Sequence, residues 1–550
     1  MKRIFGFLFG AQTNVLSAAF VIMGTVMLSF LFGFIRERLL ISYFGASNTL
    51  GIFFYSTLIP ETLFQLTIAA ALNSAFIPVF SDYLHKGREK EGQKMASTLL
   101  VFGLVIFAVL SIVIFMFGGF FLQMFNISGY FSPKQMELML VLMRIALAGQ
   151  LLFIVGSFFS TLLQAYSRFL IPGIAATLYN FGIIISIIFF AGSLGIYSAA
   201  VGIVVGSLLF VLLQLPYARQ IGFAFRPQVS AIVSEGVVRV GKLMWPRTLS
   251  IVIFQIGSLA LASLISYLAD PGRMNVIYNY AKTLSYAPVV LVGNSVAQAA
   301  FPLLSRQKDD RGDFKTTFTT SFNQVLYFIL PIAVLLLVLR IPVVRLVWGA
   351  ATFDWSATVL TGRTLAYLSV SIVAQALIML VLRGFYALHN TVVPLVVGAI
   401  TTTIMIVAAY VFIVWLHLDV VAIAAAYSFA SILQLLVCLY FLDRRIGGFG
   451  KREFFVTCMK FFFATAFMGI ALYVPLRLLD QLVFDTTRTI NLLFLTGISS
   501  GVGLSLYLFL TWLFNMREAV TFLMFVKKVG DFRQSMGKSE EAIDSTRFNT

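Results

Sequence analysis

About fourteen runs of predominantly apolar residues follow one another along the chain, each long enough to cross a bilayer as an α-helix. In lipid every backbone N–H and C=O must be paired within its own segment, so such runs fold as helices and leave little choice of secondary structure. The expected spans cover residues 14–35, 49–80, 97–122, 136–165, 172–193, 196–216, 236–267, 276–304, 316–346, 361–386, 391–415, 420–442, 455–476 and 489–513. The chain is therefore expected to be an all-α, polytopic membrane protein. Its charge content agrees: 11% of its 550 residues are Asp, Glu, Lys or Arg, where a soluble domain carries about 25%.

The net charge of +17 sits mostly in short loops. Loops after even-numbered spans are basic: Lys86, Arg88, Lys90 and Lys94; Arg168; Arg219 and Arg226; Arg306, Lys308, Arg311 and Lys315; Arg383; Arg444, Arg445, Lys451 and Arg452. Loops after odd-numbered spans are short and poor in Lys and Arg. This alternation places both termini in the cytoplasm and reads as a topology signal with contacts to anionic lipid, not as a nucleic-acid surface. Cys438 and Cys458 lie in or beside apolar spans, and His85, His389 and His417 are scattered, so neither a disulfide framework nor a metal site is expected. The first span is full length with no small-residue cleavage site after it, which reads as a retained helix.

An internal repeat is visible. Asn73-Ser-Ala-Phe-Ile-Pro-Val-Phe-Ser81 closes the second span and Gln298-Ala-Ala-Phe-Pro-Leu-Leu-Ser305 the eighth. Leu163-Gln-Ala-Tyr166 with Pro172 and Leu382-Arg-Gly-Phe385 with Pro394 form a second pair, also offset by about 220 residues. Six spans thus repeat in one orientation, and a substrate site belongs between the two lobes, as in transporters built on parallel repeats. The expected division is an N-lobe over 1–225, a C-lobe over 226–446, an extra helix pair over 447–515 and a polar cytoplasmic tail over 516–550. Pro60, Pro246, Pro288 and Pro331 fall inside spans, where each removes a backbone hydrogen bond and bends its helix.

Charged residues at membrane depth cost several kcal/mol, about 2.5–3.5 on insertion scales, and face partners or a water-filled cavity. Arg36, Glu37 and Arg38 close the first span, and Glu61 lies inside the second. Arg36, Glu37 and Glu61 are candidate walls of a polar cavity; Arg38 is expected to anchor at the interface. Arg247, after Pro246, and Lys282 are candidates in the second half. Arginine is the side chain best suited to hold phosphate, through two parallel hydrogen bonds. No phosphate loop, His-Glu-x-x-His motif or nucleophile elbow occurs, and no loop could house a nucleotide-binding fold. A transporter without cofactor is expected, driven by the membrane potential, an ion gradient or its substrate's own gradient.

Several stretches together carry a family resemblance: Gly33-Phe-Ile-Arg36-Glu37-Arg38 with Phe44-Gly-Ala; Ala75-Phe-Ile-Pro78-Val-Phe; Leu163-Gln-Ala with Arg168-Phe, Pro172 and Asn180; Gln214-Leu-Pro216; Tyr280-Ala with Pro288; and Arg383-Gly-Phe-Tyr386-Ala-Leu-His-Asn-Thr391 with Pro394. From about residue 14 to 515 the chain resembles the MurJ (MviN) lipid II flippases, a branch of the multidrug/oligosaccharidyl-lipid/polysaccharide (MOP) exporter superfamily. The resemblance implies alternating access in a bacterial cytoplasmic membrane, with a central cationic cavity for the diphosphate headgroup of lipid II. It further implies a groove on the last two helices for the polyprenyl tail, and contacts with membrane lipids and with cell-wall synthesis or division proteins. It assigns headgroup binding to Arg36 and a gating pair to Arg36 and Glu37. Charged family positions are occupied here by Phe30, Gly51, Phe64 and Thr283, with Lys282 beside the last, and the sodium-linked positions of some members by Met405 and Ala409. A flippase for another lipid-linked glycan, of O-antigen or exopolysaccharide type, and a MATE-like drug exporter are the alternative readings.

Overall fold

The structure is a computed structural model. It describes residues 15–69, 75–127, 130–228, 234–449, 451–482 and 489–520. The elements in order are α1 (Val15–Phe44), α2 (Asn48–Phe64) running into a π-helical turn (Gln65–Ala69), α3 (Ile77–His85), α4 (Glu89–Met124), α5 (Pro133–Ala165), α6 (Leu170–Leu194), α7 (Tyr197–Gln220) and α8 (Glu235–Ile265). They continue with α9 (Pro271–Pro288) and its π turn (Val289–Asn294), α10 (Ser295–Arg306), α11 (Arg311–Val338), α12 (Arg340–Trp348), α13 (Trp355–Ala387), α14 (Val392–Tyr410) with a π turn (Val411–Trp415), α15 (Val420–Arg445), α16 (Lys451–Leu482) and α17 (Thr489–Leu513).

Every expected span holds helix, and twelve helices among the described residues are long and apolar enough to cross a membrane. The protein is an all-α, multi-pass membrane protein. Three expectations about individual spans are corrected. The second is not regular α-helix throughout: α2 passes into a π turn over 65–69, and beyond residues 70–74, which lie outside the described ones, α3 covers Ile77–His85. The ninth ends at Leu339, whose carbonyl-side turn (φ −88°, ψ 20°) separates α11 from the short α12. Lys90 and Lys94 lie on the first turns of α4, not in a loop, because Glu89 and Glu91 place negative charge at the helix N-terminus and Arg88 pairs with Glu91. Of the four prolines, Pro288 directly precedes a π turn and Pro60 lies five residues before one, whereas Pro331 sits in an unbroken α11. A proline without an N–H frees the carbonyl a turn back, and a π turn is one way of re-pairing the ladder. These two π turns fall on the repeat-related second and eighth spans.

The chain divides into two interleaved compact units. The first contains Met1–Tyr280, Val347–Leu360 and Gly398–Ala426; the second contains Ala281–Leu346, Thr361–Val397 and Tyr427–Thr550. In the first unit α7 packs on α5 and α6, α1 on α6, and α2 on α5. Glycine makes those approaches possible. A Cβ on Gly182 of α6 would lie 2.5 Å from the Gly206 Cα of α7, and one on Gly206 would lie 2.3 Å from the Tyr179 carbonyl oxygen. Close backbone contact of this kind replaces the missing hydrophobic drive between helices in lipid. Polar anchors finish the job: Gln214 of α7 donates to the Gly156 carbonyl of α5 at 3.1 Å and accepts from Ser160 at 2.8 Å. The segment after α7 is pinned along α4, with the Ala224, Arg226 and Gln228 amides donating to Gln93, Ser97 and Thr98 at 3.1–3.3 Å.

In the second unit α11 lies against α10 and α16, and α16 against α17. Its core gathers Phe314, Phe318, Phe322, Phe385, Phe461 and Tyr507, all buried. Phe318 stacks on Phe449 and Phe322 meets Phe454. Tyr507 donates to the Tyr327 carbonyl at 2.8 Å, tying α17 to α11.

Replacing Gly206 with leucine forces α6 and α7 apart and costs roughly 1–3 kcal/mol or more. The expected outcome is a lowered thermal midpoint of the purified protein in detergent; an unchanged midpoint contradicts the close α6–α7 contact.

Candidate functional site

Arg36 and Glu37 leave α1 where it crosses α6. The Arg36 fork is divided between two acceptors: Nη1 donates to Asn180 Oδ1 of α6 at 3.0 Å, and Nη2 to Glu37 Oε1 at 2.6 Å. Asn180 is itself held, its Nδ2 donating to the carbonyls of Ala176 and Ser29 at 3.3 and 3.4 Å, so its oxygen is left facing the guanidinium. The pair is not sealed off: the side chains of Arg36 and Glu37 keep 27% and 18% of their accessible surface. An arginine snorkelling to the interface would use no neighbour in this way. Here the cation is positioned by two helices and still open to a ligand.

Glu61 of α2 is exposed and close enough to interact electrostatically with both Arg36 and Glu37, and Tyr179 of α6 adds its hydroxyl to the same group. The structure thus brings together three of the five residues singled out from sequence. With both carboxylates ionised the cluster holds one cation against two anions. Lys282 is a half-buried residue of α9 in the second unit. Arg247 lies on α8, with its side chain outside the described residues.

Behind the pair stands an aromatic wall that the residue pattern had not singled out. The Tyr280 hydroxyl donates to the Glu37 carbonyl at 3.2 Å. Its ring meets Trp348 at 4.8 Å and Phe54 at 5.9 Å, and Trp348 in turn meets Phe34 at 5.2 Å. Tyr280 and Trp348 are fully buried. A low-dielectric backing of this kind strengthens the Arg36–Glu37 attraction. Asn180, an amide in the middle of an apolar span, was the one available sign that Arg36 had a partner.

A second polar cluster joins the ends of α1, α2, α9 and α13 within the first unit. Arg273 Nη2 pairs with Asp354 at 2.7 and 2.9 Å. Asn48 accepts from the Arg273 amide at 3.1 Å, and Thr352 Oγ1 donates to the carbonyls of Ile41 and Ser42 at 2.8–2.9 Å. Arg38, expected to anchor at the interface, instead donates to the Gly349 carbonyl. A Cβ on Gly51 would come within 2.1 Å of the Gly272 carbonyl oxygen, so only glycine lets α2 and α9 meet there. Among the described residues no group of three or more His, Cys, Asp and Glu is placed to hold a metal. Met405 and Ala409 are buried and offer no side-chain oxygen.

The architecture is that of an all-α, multi-pass membrane protein with a half-open ion pair at membrane depth. Among solved structures the fold is similar to "Lipid II flippase MurJ, inward closed conformation", with a TM-score of 0.74 and 21% identity over 90% of this chain and 98% of that one. It is also similar to an inward-facing MATE multidrug-resistance transporter of the MOP superfamily, with a TM-score of 0.64 and 16% identity over 78% and 98%. The family model described as lipid II flippase MurJ matches residues 40–492, and the chain belongs to that family. Relatives include the probable lipid II flippase MurJ of Buchnera aphidicola subsp. Acyrthosiphon pisum, 26% identical over 92% of this chain and 98% of its own length. The lipid II flippase MurJ of Burkholderia cenocepacia is 26% identical over 73% and 78%.

Two outcomes test the geometry. Burial alone would raise the Asp354 carboxyl, but hydrogen bonds from Arg273, Ser356 and the Ala357 amide outweigh it and hold it below its ordinary 3.8. A depressed folded-state value stabilises above the unfolded one and is lost as pH falls through the folded one. Asp354→Asn is therefore expected to lower the thermal midpoint at pH 7, with the gap to wild type closing below pH 3.8; a gap independent of pH contradicts the ion pair. Asn180→Leu leaves one arm of Arg36 without its acceptor and is expected to destabilise by about 1–3 kcal/mol, whereas Asn180→Asp keeps an acceptor and is milder. The midpoints of the two variants decide it.

Proposed function

We propose that this protein moves lipid II, the polyprenyl-diphosphate-linked peptidoglycan precursor, from the inner to the outer leaflet of a bacterial cytoplasmic membrane by alternating access. One observation carries the reading: in a chain of the MurJ family, a guanidinium at membrane depth is held by Asn180 and Glu37 yet remains partly open. The difficulty in flipping such a lipid is its diphosphate, which cannot enter hydrocarbon bare. A guanidinium exchanging Glu37 for phosphate gives the charge a partner at mid-membrane. When the headgroup leaves, Glu37 takes the guanidinium back and the site resets. The protein is a transporter and performs no covalent chemistry on its cargo.

The polar cluster around Arg273 and Asp354 serves in this scheme as the outer latch, closed while the headgroup enters from the cytoplasm and broken for release. Both termini lie in the cytoplasm, following the basic loops. The driving force is the membrane potential or an ion gradient. With the inside negative, moving an anion outward gains about 2.3 kcal/mol per elementary charge per 100 mV. Sodium held at residues 405 and 409 is not part of the scheme, since Met and Ala supply no oxygen there. The last two helices take the prenyl tail, and cell-wall synthesis or division proteins are the partners to seek.

Complementation of a cell depleted of its lipid II flippase tests the reading. Wild type is expected to restore growth. Arg36→Ala is expected to fail at normal protein levels, and Arg36→Lys, which keeps charge but loses the fork, to rescue weakly. Failure of wild type to rescue rejects lipid II as cargo; full activity of Arg36→Ala rejects the role of the arginine.

A further inference from the structure

The first four turns or so of α11 are amphipathic in an unusual sense for a membrane helix. Phe314, Phe318 and Phe322 form one face, buried in the core of the second unit. Thr316, Thr319, Thr320, Asn323 and Gln324 form the other, at the i, i+3, i+4, i+7, i+8 spacing of a single helical stripe. A polar stripe in a bundle of apolar helices calls for polar surroundings. The stripe faces a cavity of about 760 Å³, closed on the other side by residues of α16 and of the segment after α17. Lys315, Lys460 and Arg517 line this cavity with a single carboxylate, Glu518. Asn323 Oδ1 is buried and has no hydrogen-bond partner among the described residues. Lys460 Nζ makes a bond to the Phe514 carbonyl at 3.1 Å, which uses one of its three donor directions.

We infer that this cavity is a binding site for the phosphodiester headgroup of an anionic phospholipid drawn from the cytoplasmic leaflet. The start of α11, the start of α16 and the end of α17 share the side of the membrane marked by the basic loops. Lys315 and Asn323 are eight residues apart, about 12 Å along a helix axis, so the cavity runs from the headgroup region toward the hydrocarbon boundary. Its chemistry matches that gradient: cations for the phosphate, then hydroxyls and amides for the glycerol. Basic pockets between helices on the cytoplasmic side recognise anionic headgroups in this manner. The site is separate from the Arg36 cluster and does not depend on which cargo that cluster carries. A lipid seated here would brace α16 and α17 against α11.

The full-length protein in nanodiscs of phosphatidylglycerol, phosphatidylcholine, or phosphatidylcholine with added inorganic phosphate provides the test, read by thermal midpoint and by lipids retained in native mass spectrometry. The midpoint is expected to rise only with phosphatidylglycerol. Lys460→Gln and Asn323→Leu are expected to abolish that rise and weaken retention about tenfold, the scale of one hydrogen bond to a charged group. Arg444→Gln, which removes an exposed charge outside the cavity, is expected to leave both unchanged. Asn323→Leu keeps the net charge, so its effect separates a built site from diffuse attraction. Equal midpoints in the two lipids, an equal rise with inorganic phosphate, or equal losses in Arg444→Gln and Lys460→Gln overturn the inference.

Discussion

A charge inside a membrane protein must be paired by protein, because lipid offers nothing to replace its water. The Arg36 guanidinium meets that requirement with two acceptors, one from its own helix and one from α6. The rest of the first unit follows from it. Asn180 can reach Arg36 only because α1 and α6 are packed side by side, and Tyr280 and Trp348 fill the space behind Glu37 with rings. Removing one acceptor leaves a partly buried guanidinium with a single protein partner, which costs more than the loss of the bond itself. The same pairing is not sealed off, and both side chains keep part of their accessible surface.

Stability and mobility are divided between different parts of the chain. The α5–α6–α7 contacts are backbone-close at Gly182 and Gly206 and further tied by Gln214, so they leave little room for adjustment. The second and eighth spans are built otherwise. Each contains a π turn near a proline, where the hydrogen-bond ladder is already irregular and a change of bend costs little. The Asn48, Arg273 and Asp354 cluster closes one end of these spans with exposed polar bonds, which are weak individually and reversible. Rigid glycine contacts beside irregular, polar-latched spans are the arrangement a transporter needs.

Much of this is legible in the sequence. Runs of apolar residues mark where the helices lie. Arg36 and Glu61 announced themselves as charges where lipid should be. What could not be read was the partner of each charge. Asn180 lies 144 residues from Arg36, and Thr352 is 311 from Ile41; no local period connects them. The break at Leu339 is marked in sequence only by Arg340 and Pro342 just beyond it, inside a run that stays largely apolar to Val347. The polar stripe of α11 is hard to read in the sequence because threonine tolerates an apolar span, and only the folded chain shows that the stripe faces a cavity.

The sequence by itself determined the all-α, multi-pass class, because twenty apolar residues in lipid have one economical way to pair their backbone. It also pointed, through the run of family motifs, to a transporter of the MurJ family. Only the tertiary structure decided that this arginine is shared between Asn180 and Glu37, that Arg38 serves a backbone carbonyl, and that a cation-lined cavity opens beside α11. Helix formation is a local matter of solvent and hydrogen bonds. Pairing of charges between helices depends on rotation and spacing around axes far apart in the chain, and a linear order does not carry that information.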